Sequence, residues 1–80
     1  MENLQSVINH HILQTIRGDI WPKELRISPA LHDELLKQVG PIENYMETAK
    51  IIRDESLDNE IRILGGYQDI EIKGGFNVKP

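Results

Sequence analysis

Apolar residues change their spacing near Gly40. Before it they recur every three or four positions, as on one side of a helix. After it they alternate, as in IIRD, EIRIL and DIEIK. That change predicts an α+β domain in which helices lie against a small sheet.

Residues 2–17 read as a first helix. Leu4, Val7, Ile8, Ile12 and Ile16 form one stripe, with His11 and Thr15 between them and Leu13 off to the side. Gly18 suits the turn after the helix, and Trp21-Pro22 opposes further helix because the residue before proline is pushed to extended conformations. Residues 19–27 are then a connection, within which Leu25-Arg26-Ile27 has the makings of a short strand. Residues 28–39 carry clear helix punctuation: Ser28 as cap, Pro29 at the first position, and Gly40-Pro41 as the stop. Leu31, Leu35 and Val39 line one face, with Leu36 beside them. Over residues 41–48, Ile42, Tyr45 and Met46 have helix-like spacing, enough for one or two turns.

Three strands are expected beyond that point, at 50–53, 60–64 and 69–73. In the second, Ile61 and Ile63 face one way while Glu60, Arg62 and Leu64 face the other. Ile70 and Ile72 repeat the pattern, and Gly65-Gly66 marks a hairpin turn. The predicted fold is α+β in a single domain over residues 1–80. Two helices pack on a three- to four-stranded, mainly antiparallel sheet with a C-terminal β-hairpin. Residues 1–40 form the helical part, 41–75 the β part and 76–80 a tail.

Eighty residues with few aromatics, Trp21, Tyr45, Tyr67 and Phe76, leave the core to aliphatic side chains. A domain this short buries only about 60–65% of its unfolded surface, so it commonly relies on a staple. With no cysteine, a disulfide and a thiolate metal site are excluded, which points to self-association or a larger partner. The first helical stripe either packs in the chain's own core or forms a two-helix seam between subunits, and the strand at 69–73 offers a free edge to a second copy or a target strand. No apolar run is long enough to cross a membrane, and the opening residues lack a basic segment followed by an apolar core. The expectation is a cytoplasmic protein, in the host cytoplasm if phage-encoded.

The net charge of −4 is uneven. Residues 1–40 hold five acids and four bases, and residues 41–80 hold eight acids and five bases. That balance opposes direct binding of DNA or RNA, which needs clustered Lys and Arg. Asp54, Glu55, Asp58 and Glu60 form a candidate acidic surface suited to a basic partner.

No catalytic constellation stands out. His10 and His11 are neighbours, so a helix points them about 100° apart and they cannot easily share a metal. Asp54, Ser56, Asp58 and Glu60 alternate like a calcium loop, but Asn59 stands where its glycine belongs and Gly65 where its bidentate Glu belongs. The Gly-Gly pairs are not followed by a helix and suit turns better than phosphate. No catalytic residue, metal or cofactor is expected, and the chain reads as non-enzymatic.

The stretch KIIRDESLDNEIRIL resembles the closing strand–loop–strand of short phage and prophage reading frames. The preceding SPALHDELL is similar to their S-P-x-L-x-x-E-L openings. The resemblance brings no catalytic or binding motif. It implies a small phage-encoded accessory protein that acts by binding, such as an inhibitor of a host or defence protein.

The function expected is therefore a protein-interaction module, homodimeric, with Leu4, Val7, Ile8, Ile12, Ile16 and Trp21 as candidate partner or self-association residues. One alternative is a virion accessory subunit that self-assembles. Another is a small nucleic-acid regulator, which would require Arg17, Lys23, Arg26 and Lys37 to cluster.

Overall fold

The computed structural model describes residues 4–74. In chain order these form α1 (Leu4–Thr15), β1 (Glu24–Ile27), α2 (Pro29–Val39), β2 (Asn44–Tyr45), β3 (Ala49–Arg53), β4 (Glu60–Leu64) and β5 (Ile70–Lys73). The α+β reading holds, but the sheet is five-stranded and mixed, in the order β2-β3-β1-β4-β5. β1 runs parallel to β3 and antiparallel to β4, and the other neighbours are antiparallel.

The expected antiparallel sheet of three or four strands is corrected at two places. The first is β1. It sits in what read as a helical part with a connection, yet it occupies the centre of the sheet. Leu25 and Ile27 are wholly buried there, at 0% exposure. The Lys23 carbonyl accepts from Lys50 N–H at 2.9 Å, and the Ile27 carbonyl accepts from Asp54 N–H at 2.9 Å, so the β1–β3 pairing is held at both ends. A parallel pair needs a long crossover between its strands, and α2 supplies most of it.

The second is β2, where helix-like spacing gives way to a hairpin. Thr48 N–H donates to the Tyr45 carbonyl at 3.2 Å, and Met46 and Glu47 both take positive φ, 54° and 63°. This is the mirror-image turn whose twist matches a hairpin, and it normally carries Asn-Gly. Neither Met nor Glu favours that backbone.

α1 is the i, i+4 series Leu4, Ile8, Ile12, all buried. It stops at Thr15, whose hydroxyl donates to the Ile12 carbonyl at 2.7 Å. Arg17, expected in the last helical turn, lies beyond the helix in a tight turn to Ile20 that passes through Gly18 at φ 60°. In α2, Pro29 takes the first turn, and Gly40 at φ 83° returns its N–H to the Leu36 carbonyl at 2.8 Å. Ser28 precedes the helix as expected, but its side chain does not cap it. The hydroxyl instead accepts from Glu60 N–H at 3.3 Å and ties the start of α2 to β4.

Both helices lie on one side of the sheet. Leu4, Ile8, Ile12, Leu31 and Leu35 meet Leu25, Ile27, Ala49, Ile61 and Ile63 in a single apolar core, and Ile70 and Ile72 pack against its margin. α1 spans the layer. At its middle, Asn9 Oδ1 accepts from the Tyr45 hydroxyl of β2 at 2.6 Å. At its end, the Thr15 carbonyl accepts from Tyr67 N–H of the β4–β5 loop at 2.7 Å. The β4–β5 hairpin is as expected, while the predicted tail at 76–80 lies outside the described residues.

Glycine at 65 is required twice over. Its φ is +84°, and a Cβ there would lie 2.9 Å from Lys23 Cβ. Gly18 shares the positive φ but has open space around it. Gly18→Ala should therefore cost about 1 kcal/mol and Gly65→Ala about 2–3 kcal/mol, read as urea-unfolding free energies. In the same assay, replacing Met46-Glu47 by Asn-Gly should stabilise the protein by about 1 kcal/mol.

Candidate functional site

The stripe singled out for self-association divides in two. Leu4, Ile8 and Ile12 are buried in the chain's own core, which selects core packing over the two-helix seam between subunits: their apolar surface is already covered by the sheet and α2. Val7 and Ile16 are half-buried. Trp21 alone of the six is exposed, at 41%.

The acidic group also divides. Asp54 and Glu60 are partly or wholly withdrawn from solvent, whereas Glu55 and Asp58 are exposed. Glu60 was expected on the surface and is buried, at 8% exposure. It does lie on the sheet side away from the helices, but the Arg62 guanidinium lies against its carboxylate, with Nε at 2.7 Å. Asp54 is reached by Arg26 at 3.3 Å, and Glu55 by Arg53 at 3.2 Å.

The Arg62–Glu60 and Arg26–Asp54 pairs belong to the open side of the sheet, which no helix covers among the described residues, whereas Arg53 stands opposite Ile27 on the helix side and also reaches Asp33 of α2 at 3.7 Å. Directly paired residues share a face. The register therefore places Ile52, Arg26, Arg62 and Glu71 in one row, and Lys50, Glu24 and Leu64 in another. Arg26 and Arg62 stand opposite each other, an arrangement that is unfavourable alone. Carboxylates offset it. Glu24 lies 3.2 Å from Arg26, Glu60 and Glu71 lie 2.7 and 3.8 Å from Arg62, and Lys73 closes on Glu71 at 3.7 Å. The result is a lattice of alternating charge with as many acids as bases. A polyanion gains little from such a face, because Arg26, Arg62 and Lys73 each already have a carboxylate close by. The four cations of the regulator reading do not form one patch either: Arg26 is bound into this lattice, while Arg17 lies over Tyr67 at the end of α1.

A second surface gathers where α1 ends. The Arg17 guanidinium lies 4.7 Å from the centre of the Tyr67 ring, a cation–π contact. Tyr67 is held by its N–H bond to Thr15, and Arg17 is bonded through its backbone to Ile20. Leu13, Ile20, Trp21 and Tyr67 are all large and exposed. Sequence reasoning found Trp21 but not Tyr67, because the approach of the β4–β5 loop to α1 is a tertiary event. Gly66 was the available signal: a Cβ there would sit 3.0 Å from the Thr15 carbonyl oxygen, so the close approach needs glycine.

The histidines fall as the helix geometry requires, His10 exposed and His11 half-buried with their rings edge to face at 5.3 Å. Among the described residues, no three His, Asp or Glu side chains gather as metal ligands, and no helix is long and apolar enough to cross a membrane. No family model, no curated protein and no solved structure matches the chain.

Asp54 shapes the 54–58 loop. Its Oδ1 accepts from the Ser56 hydroxyl at 2.6 Å and from the Ser56 N–H at 2.9 Å. Those bonds, followed by the Arg26 guanidinium, hold the Asp54 carboxyl below its usual value. A folded-state pKa below the unfolded one gives stability that is fully present above the unfolded pKa of about 3.9 and is lost as pH falls through the lower folded value. Asp54→Asn should therefore lower the urea midpoint at neutral pH and flatten its decline in the acid range below about pH 4.

Proposed function

We propose that this protein is a non-enzymatic protein-interaction module whose contact surface is the end of α1, with Trp21 and Tyr67 as anchors. The observation that carries this reading is that Ile20, Trp21 and Tyr67 stand exposed about the Arg17–Ile20 turn, with Arg17 laid over the Tyr67 ring. Trp, Tyr and Arg are the residue types that concentrate binding energy at interfaces. The surface is also backed by fixed structure, the Thr15–Tyr67 and Arg17–Ile20 backbone bonds, so little ordering is needed on contact. Arg17 and Lys23 lie along the same stretch, which suits a partner with an apolar pocket and an acidic rim.

The narrower form of the proposal is an accessory factor, phage-encoded and cytoplasmic, that binds and modulates a host or defence protein. The resemblance of residues 50–64 supports that form, as does the absence of cysteine. A partner with a basic surface is the second reading. It is favoured by Glu55 and Asp58, which stand exposed in the loop between β3 and β4.

Photo-crosslinking residues placed at position 21 and at position 58 separate these readings. The proposal expects capture of a partner from position 21. Affinity for that partner should fall about thirtyfold with Trp21→Ala while the melting temperature holds, and should weaken only modestly with salt, through the Arg17 and Lys23 contacts. Capture from position 58 with steep salt dependence would favour the acidic loop, and an unchanged affinity in Trp21→Ala would refute the proposal.

A further inference from the structure

The outer edge of β5 is the other element left unpaired among the described residues. Ser28 N–H donates to the Glu60 carbonyl, so the even-numbered residues of β4 turn their backbone groups toward β1. Ile61 and Ile63 then bond β5 through Ile72 and Ile70. Gly74 N–H to the Asn59 carbonyl at 2.8 Å continues that series. The N–H and C=O groups of Glu71 and Lys73 consequently point away from the sheet. β5 is its last strand, and none of the described residues pairs with that edge. The opposite edge is guarded: β2 is only two residues long and ends in the Met46-Glu47 turn.

We propose that β5 pairs antiparallel with β5 of a second copy, about a two-fold axis through Ile72, so that the sheet continues across both subunits. Two constraints select this register. Paired residues must share a face, so residues of like parity must meet. The outward-pointing groups of Glu71 and Lys73 must also bond each other. Centring on Ile72 satisfies both and sets Glu71 opposite Lys73 of the partner subunit, twice by symmetry. Centring on Glu71 would instead place like charges in contact across the axis, which is unfavourable. Glu71 and Lys73 are 51% and 69% exposed, so their side chains are available. In the dimer these four charges alternate in sign around the axis and extend the lattice of the open face. On the helix side, Ile70 and Ile72 are half-buried at the margin of the core, and a second copy would cover them.

The chain has no cysteine, so single cysteines report the register directly. Ile72 and its symmetry mate form a non-hydrogen-bonded pair with Cα atoms about 4.5 Å apart, inside disulfide range. Glu71 and its mate are diagonal, about 7–8 Å apart, outside it. Under mild oxidation Ile72→Cys should form a covalent dimer and Glu71→Cys should not. By light scattering across a concentration series, the unmodified protein should reach twice the chain mass. Glu71→Lys should weaken the dimer about ten- to thirtyfold, and adding Lys73→Glu should restore it. Trp21→Ala should leave the dimer intact, which separates this proposal from the contact surface at α1. A monomer at every concentration, equal crosslinking through Glu71→Cys, or no rescue by the double reversal would overturn it.

Discussion

β1 is the strand on which the other parts depend. Four residues make two ladders, parallel to β3 on one side and antiparallel to β4 on the other. Leu25 and Ile27 turn into the core, while Glu24 and Arg26 turn to the open face. If β1 is removed, the sheet separates into two hairpins, β2–β3 and β4–β5, each too small to persist alone in water. Its position also forces the architecture: β1 and β3 are parallel, so the chain must cross between them, and the crossover helix α2 becomes half of the layer that covers the sheet.

The sequence shows most of this in pieces. The i, i+4 series of α1, the Ser-Pro start and glycine stop of α2, and the alternation in β4 and β5 are strong local signals, and each element formed where its pattern lay. β1 was harder. A Leu-Arg-Ile stretch between Pro22 and Ser28 is compatible with a strand, but nothing local says that it is central or that its neighbour runs parallel. β2 was hidden for another reason. Its turn uses Met46 and Glu47, residues that do not signal a hairpin, and the apolar spacing of Ile42, Tyr45 and Met46 imitates a helical turn. Glu60 shows the limit of alternation as a guide to exposure. The pattern correctly sets it on the face away from the helices, but a long arginine beside it determines whether water reaches it. Ser28 is similar: its position before α2 was legible, while the use of its hydroxyl by β4 was not.

The two faces of the sheet are stabilised by different means. The helix side is aliphatic, continuous and closed over by α1 and α2. None of the described residues forms a layer over the other side, and its central arginines, Arg26 and Arg62, would repel each other without carboxylates at close range. Glu24, Asp54, Glu60 and Glu71 supply them. Salt bridges this exposed contribute little each. Their collective effect is to let a mixed sheet present one face to water without a field of either sign. Three of the eight acids of the second half, Asp54, Glu60 and Glu71, are thereby engaged within the fold.

The bond from Tyr67 to Thr15 also bears on how the protein is made. α1 is synthesised first, yet its last carbonyl is satisfied by a loop that follows four of the five strands. β1 likewise waits for β3 and β4 before either of its ladders can close. An isolated twelve-residue helix is marginal in water, so α1 gains most of its stability only when the sheet beneath it is assembled. Folding is therefore governed by contacts between distant parts of the chain, which slows it relative to a helical bundle of equal size. A nascent chain on the ribosome would hold an unshielded Leu4–Ile8–Ile12 stripe until the β4–β5 hairpin emerged, and that interval is when a chaperone would have most to grip.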